Sequence, residues 1–171
     1  LGLLTFSMQK EGKRFQIQVL DVGQGDGIYI ESDAGTEIFV DGGSVDVSEV
    51  GKYRIQPFLK SHGVKEVDYW FVSHCDADHC NGLMELLEAD VPIKHLVFSK
   101  YVLRDEAQEE LVALAKRKGC QVLYLEEGEC FRDASVRIQA MYPSEKSVEG
   151  ERNADSLVLL LEHEAFRGLL T

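Results

Sequence analysis

The feature that most constrains this chain is Ser73-His74-Cys75-Asp76-Ala77-Asp78-His79-Cys80-Asn81-Gly82. Two imidazoles and two carboxylates lie between His74 and His79, directly behind the apolar run Val67–Ser73. A run so rich in aromatic and β-branched residues predicts a buried strand. Ionisable groups crowded at the end of a buried strand call for a compensating charge. In a loop at a strand end, residues two apart point to the same side. His74 with Asp76 can therefore grip one ion, while Asp78 with the adjacent His79 reaches a second. Imidazole and carboxylate together suit zinc, manganese or iron, with manganese favoured as oxygen donors increase. Helix capping is the competing explanation, because Asp and Asn often precede helices. It accounts for Asn81 and fails for the full cluster. Gly82 allows a tight turn into a helix expected to begin near Asn81-Gly82 and to cover Leu83–Ala89.

On either side of this motif the pattern changes from strands to alternating helices and strands, then back to strands. Residues 14–22 alternate as a strand does, and Gly23-Gln24-Gly25-Asp26-Gly27 forces a reversal. Ile28–Glu31 and Thr36–Asp41 follow as strands, linked too closely to be parallel, so an antiparallel meander is expected. Pro57 suits the first turn of a helix through Leu59 and Lys60, ended by Gly63. Beyond the motif, Ile93–Phe98 predicts a strand, Glu106–Lys118 an amphipathic helix, and Gln121–Leu125 another strand. Ser135–Met141, Ser156–His163 and Phe166–Leu170 are β-type, with a polar loop over Pro143–Arg152. Together these predict a sandwich of two sheets with helices on its outer faces.

Composition narrows the class further. The 171 residues, 44% hydrophobic and 28% charged, suit one sizeable core rather than two domains. A net charge of −12 opposes a broad basic face for nucleic acid. Acidic residues at Asp105–Glu110 and Glu126–Glu129 suit a solvated helix and turn, and Lys10, Lys13, Arg14, Lys52 and Arg54 suit contacts to a phosphate backbone or, equally well, scattered surface charge. Cys75, Cys80, Cys120 and Cys130 form neither a zinc knuckle nor a disulfide framework. Cys75 and Cys80 suit packing beside the motif, and Cys120 and Cys130, at the starts of two strands, could pair in an oxidising compartment. His62, His95 and His163 suit structural positions at element ends. The apolar opening Leu1–Phe6 is an extraneous leader, a core strand or the end of a membrane helix.

The pattern His-x-Asp-x-Asp-His-x-x-Gly, carried by His74, Asp76, Asp78, His79 and Gly82, resembles the signature of the metallo-β-lactamase superfamily. It is the variant with Asp where many members have a second His. Asp41, in Val40-Asp41-Gly42-Gly43, matches an earlier aspartate of that superfamily that supports the ligands by hydrogen bonds. The resemblance implies an α/β fold, an αββα sandwich of two mixed sheets with helices on the outer faces. A narrower likeness runs through Leu20-Asp21-Val22-Gly23-Gln24-Gly25-Asp26, Pro57-Phe58-Leu59-Lys60 with Gly63, the ligand motif, and Asn153-Ala154-Asp155-Ser156-Leu157-Val158-Leu159. These resemble the ComEC-type DNA-internalisation competence proteins.

That resemblance implies a DNase that degrades the non-imported strand during DNA uptake, with DNA as partner and two divalent ions, zinc or manganese, as cofactors. It implies residues 1–10 as the end of a membrane helix from the protein's own channel domain, and residues 11–171 as a hydrolase domain on the extracytoplasmic face. His74 and Asp76 would hold one ion, Asp78 and His79 the other, with Asp78 also orienting the attacking water. Gln24 and Asp26 would border the cleft. Asn153 and Ser156 would form a polar pair that replaces a ligand or contacts phosphate. The superfamily pattern continues, after a strand like Gly168-Leu169-Leu170-Thr171, into Gly-Asp and His-His-Gly-Ser segments with further ligands. The sequence ends at Thr171, so a C-terminally incomplete metal site is expected. Two other functions fit the same residues: a metal-dependent hydrolase of small phosphoesters, esters or lactones, and a non-catalytic DNA-channel accessory module.

Overall fold

The computed structural model describes residues 14–101, 104–147 and 154–171, so Leu1–Phe6, Lys10, Lys13 and Asn153 lie outside the described residues. Strands β1 (Gln16–Val19), β2 (Ile28–Glu31) and β3 (Glu37–Val40) form the expected antiparallel meander. β3 then pairs in parallel with β4 (Val67–Phe71), β4 with β5 (Ile93–Ser99), and β5 with β6 (Gln121–Leu125). Parallel neighbours need a crossover, and helices supply it. α1 (Gln56–Ser61) lies between β3 and β4, α2 (Ala77–Glu88) between β4 and β5, and α3 (Glu106–Arg117) between β5 and β6. The Asp105 side chain caps α3 by accepting from the Gln108 amide at 3.0 Å.

A second sheet, in the order β10-β9-β8-β7, contains β7 (Cys130–Arg132), β8 (Arg137–Tyr142), β9 (Val158–His163) and β10 (Phe166–Leu170). It is antiparallel throughout rather than mixed: short hairpins join β7 to β8 and β9 to β10, and β8 pairs antiparallel with β9 across the longer connection 143–157.

Strand periodicity divides the core in two. On one face of the six-stranded sheet Phe39, Trp70 and Leu96 sit side by side in register, with the Phe39 and Trp70 rings stacked at 4.2 Å. This face packs on Leu83, Leu86 and Leu87 of α2 and on Leu111, Leu114 and Ala115 of α3. The opposite face presents Ile38, Val40, Phe71 and Val97, buried against Val136, Ile138, Ala140, Leu159 and Leu161 of the second sheet. Among the described residues, helices cover one outer face only, where the sequence implied both.

Two local departures matter for the site. α2 starts at Ala77, four residues before the expected Asn81, so Asp78 and His79 belong to its first helical turn and not to a loop. The signal was hidden because Asp78 and His79 make that turn polar, and the run of leucines on the apolar face begins only at Leu83. A five-residue π-helical turn, Gly51–Ile55, also leads into α1. Inserted turns of this kind have no clear propensity signature and occur often at functional sites.

The parallel register places the ends of β3 and β4 side by side, since Val40 pairs with Phe71 and the Asp41 amide donates to the Phe71 carbonyl at 2.9 Å. The carboxyl ends of parallel strands are where open α/β sheets place ligands. Glycines close the loops over this edge. A Cβ on Gly43 would meet the Ala77 carbonyl oxygen at 2.4 Å and the His79 nitrogen at 2.5 Å, and one on Gly25 would meet the Gly43 oxygen at 2.2 Å. The Asp26 amide donates to the Asp78 carbonyl at 3.1 Å, and the Gly43 amide to the Asp26 carbonyl at 3.1 Å. The turn at Gly23–Gly27, the loop at Gly42–Ser44 and the start of α2 are thus laced together backbone to backbone.

A Gly43→Ala variant forces backbone against backbone and is expected to lose about 1–3 kcal/mol in denaturant unfolding. Phe71→Ala empties the space between the sheets and is expected to lose about 3–5 kcal/mol in the same measurement.

Candidate metal centre

Asp41 anchors the site. It is 2% exposed and sits at φ 56, a left-handed conformation that aspartate tolerates better than most residues. Its Oδ1 accepts from the Ser73 amide at 2.8 Å and its Oδ2 from the Ser73 hydroxyl at 2.8 Å. Oδ2 also lies 3.0 Å from His79 Nδ1. A buried carboxylate that accepts several hydrogen bonds is well satisfied without a cation of its own.

Each histidine is held on one ring nitrogen and faces carboxylates with the other. His79 is tied at Nδ1 to Asp41, which leaves Nε2 at 3.8 Å from Asp78 Oδ2 and 3.6 Å from Asp26 Oδ2. His74 Nδ1 lies 3.0 Å from the Ser73 hydroxyl and 3.2 Å from the Ser156 hydroxyl. Its Nε2 is 3.5 Å from Asp76 Oδ2. The two imidazole centroids are 4.0 Å apart.

Capping does not explain these carboxylates. Asp76 is the N-cap residue of α2, yet its side chain makes no capping hydrogen bond. Asn81, the one residue that capping was expected to explain, lies inside α2. Its amide group instead clamps the Ser44 backbone, accepting from the amide at 3.0 Å and donating to the carbonyl at 2.7 Å.

Electrostatics separate the two rings. Burial, joined by repulsion from His79, holds His74 below the ordinary imidazole range despite Asp41, Asp76 and Asp78. Burial also opposes charge on His79, but the Asp41 hydrogen bond and the charges of Asp41, Asp78 and Asp26 outweigh it and raise its pKa. An imidazole so disfavoured from protonation, with Nε2 beside Asp76, is suited to donate to a metal.

The donor chemistry fits divalent ions. Two donors bound to one ion at about 2.0–2.2 Å lie somewhat more than 3 Å apart, and the His74–Asp76 and His79–Asp78 separations are close to that spacing. Among the described residues, no three or more His, Cys, Asp or Glu side chains form a group that could hold an ion. The arrangement is one of pairs, with Asp26 beside the second.

The remaining sequence candidates fall unevenly around the site. Asp26, expected only to line the cleft, comes within 3.6 Å of a histidine nitrogen. Ser156, expected to contact phosphate or replace a ligand, lies 3.2 Å from His74 Nδ1. Gln24 is exposed and is tied through its backbone, donating to Asp46 at 2.7 Å and accepting from Val45 at 2.9 Å. Ser73 went unrecognised as a functional residue. Its signal was its place between a buried strand and His74, opposite a buried aspartate that requires donors. Cys75 and Cys80 are buried in the helix-side core, while Cys120 and Cys130 are free thiols, one buried and one exposed.

No family model matches the chain. ComE operon protein 3 of Bacillus subtilis (strain 168) is 24% identical over 169 residues, covering 91% of this chain and 22% of that protein. The chain thus spans about a fifth of that relative's length. Among solved structures, a HARLDQ-motif mutant of a metallo-beta-lactamase from Cronobacter sakazakii superposes with a TM-score of 0.62 at 10% identity, over 91% of this chain and 60% of that one. Zn(2+)-bound PqqB from Methylobacterium extorquens gives 0.58 at 12% identity, over 85% and 52%. CmlA, a diiron beta-hydroxylase from Streptomyces venezuelae, gives 0.54 at 16% identity, over 92% and 29%. The chain therefore has a metallo-β-lactamase-like fold and is similar in sequence to ComE operon protein 3.

Proposed function

We propose that this chain is a metal-dependent phosphodiesterase that cleaves DNA, degrading the non-imported strand during DNA uptake at the outer face of a membrane. The observation that carries the reading is the pairing of each histidine Nε2 with a carboxylate while Nδ1 is engaged behind it. His74 with Asp76 holds one divalent ion, zinc or manganese, and His79 with Asp78 holds the second. Such ions supply Lewis-acid charge and lower the pKa of bound water toward neutrality. Asp78, on the exposed side of the pair, orients the attacking water. Asp41 fixes the His79 ring from behind.

The likeness to ComE operon protein 3 supports the DNA-uptake setting. Local charge supports a need for metal. The chain carries −12 overall. Lys52, on the π-helical turn, is engaged by Glu49 at 2.7 Å. An acidic chain offers a phosphodiester little net attraction, and bound ions would supply the positive charge. No helix among the described residues is long and apolar enough to cross a membrane. Membrane association, in this proposal, comes from a channel domain of the same protein.

The test is cleavage of single-stranded DNA by the protein supplied with manganese or zinc, beside an Asp78→Ala, His79→Ala double variant. Removing an outer partner of a metal ligand typically costs 10–100-fold, so losing two ligands is expected to lower the rate by more than about 100-fold. Chelation should abolish cleavage, and the metal should restore it. Stoichiometric metal binding without DNA cleavage, but with turnover of a small phosphodiester, would replace the nuclease reading with a small-ester hydrolase. Asp41→Asn, which removes the carboxylate behind His79, is expected to weaken metal binding about 10–100-fold by titration calorimetry.

A further inference from the structure

Every polar atom of Ser73 is engaged. Its amide and hydroxyl donate to the two oxygens of Asp41, each at 2.8 Å, and its carbonyl accepts from the Leu157 amide at 2.9 Å. Its hydroxyl oxygen also lies 3.0 Å from His74 Nδ1 and 3.2 Å from His79 Nδ1. The residue is 2% exposed, so water does not substitute for these partners. It joins the end of β4 to the aspartate after β3, to both histidines, and to the strand that begins at Val158 in the second sheet.

We propose that Ser73 is a positioning residue whose single hydroxyl fixes the His74 tautomer, keeping the proton on Nδ1 and the lone pair of Nε2 toward Asp76. The hydrogens decide it. A carboxylate only accepts, and a serine has one hydroxyl proton. The Asp41 carboxylate takes that proton on Oδ2 and takes the His79 Nδ1 proton on the same oxygen. The Ser73 oxygen then has only lone pairs left for His74. An unprotonated Nδ1 would set lone pair against lone pair at 3.0 Å, whereas a protonated one donates. The Ser156 hydroxyl lies 3.2 Å from the same nitrogen, farther than the Ser73 oxygen. His79 does not depend on Ser73 in this way, because Asp41 takes its proton directly.

The consequence for metal binding rests on the metal-centre reading above, whereas the tautomer is a property of the protein alone. The test is a long-range ¹H–¹⁵N spectrum of the metal-free protein with ¹⁵N-labelled histidine, recorded at rising pH until the ring shifts no longer change, so that the neutral rings are read. In the native protein both rings are expected to be Nδ1–H. In Ser73→Ala, His74 is expected to become a mixture of tautomers while His79 stays Nδ1–H, and Ser73→Thr, which returns the hydroxyl, is expected to restore His74.

Titration with Mn²⁺ or Zn²⁺ alone should show about 10–100-fold weaker binding in Ser73→Ala, recovered in Ser73→Thr. The backbone bonds of Ser73 survive the alanine change, and native amide dispersion checks the fold. An unchanged His74 tautomer in a folded Ser73→Ala protein would overturn the proposal, as would an Nε2–H tautomer in the native protein. Native tautomers as expected, lost in Ser73→Ala but with no metal bound by either protein, would support the role of Ser73 and remove the metal-centre reading.

Discussion

The buried Asp41 carboxylate is the interaction on which the site depends. It sits where β3 ends, in a left-handed backbone conformation, and reaches across to the end of the neighbouring parallel strand. The Ser73 amide and hydroxyl and the His79 ring all converge on it. A carboxylate at 2% exposure is tolerable only with such partners, because an unpaired buried charge is costly. The same requirement that satisfies Asp41 therefore aims His79 outward. Structural and functional demands coincide at this oxygen pair.

The two-sided burial of the six-stranded sheet makes that arrangement rigid. Phe39 and Trp70 pack toward the helices, and their sequence neighbours Val40 and Phe71 pack toward the second sheet. A one-residue slip of either strand would exchange these faces, so register is strongly fixed. Register in turn sets Asp41 beside Ser73. The second sheet contributes through the Leu157 amide, which holds Ser73 from the far side and brings Ser156 onto His74. Elements distant in sequence thus meet at the carboxyl edge of two strands.

Much of this was legible in the sequence because two of its signals are local. The ligand motif lies within a few residues, and the alternation of strands and helices follows from hydrophobic period alone. The meander, the three crossover helices and the two-sheet division appear as expected. The early start of α2 was hidden because Asp76, Asp78 and His79 carry side chains used by the site rather than by the helix's apolar face. The antiparallel second sheet depended on hairpin connections whose pairing no local pattern reveals. The roles of Ser73 and Ser156 were hidden for another reason. A serine is chemically ordinary, and only its distance to a ring nitrogen on another element gives it a task.

The charge balance of the site gives the chemistry its direction. Four carboxylates, on Asp26, Asp41, Asp76 and Asp78, surround two imidazoles, and Asp41 and His79 already form one pair. The protein answers part of this excess by favouring a proton on His79, while burial disfavours one on His74. What remains are acidic oxygens on the open side, facing two ring nitrogens whose other sides are already occupied. A neutral small ligand would leave that excess uncompensated, and an anionic one would increase it. Two divalent cations, as proposed above, would balance the four carboxylates. With the carboxylates so balanced, a phosphodiester would no longer meet uncompensated negative charge at this edge, as the proposed function requires.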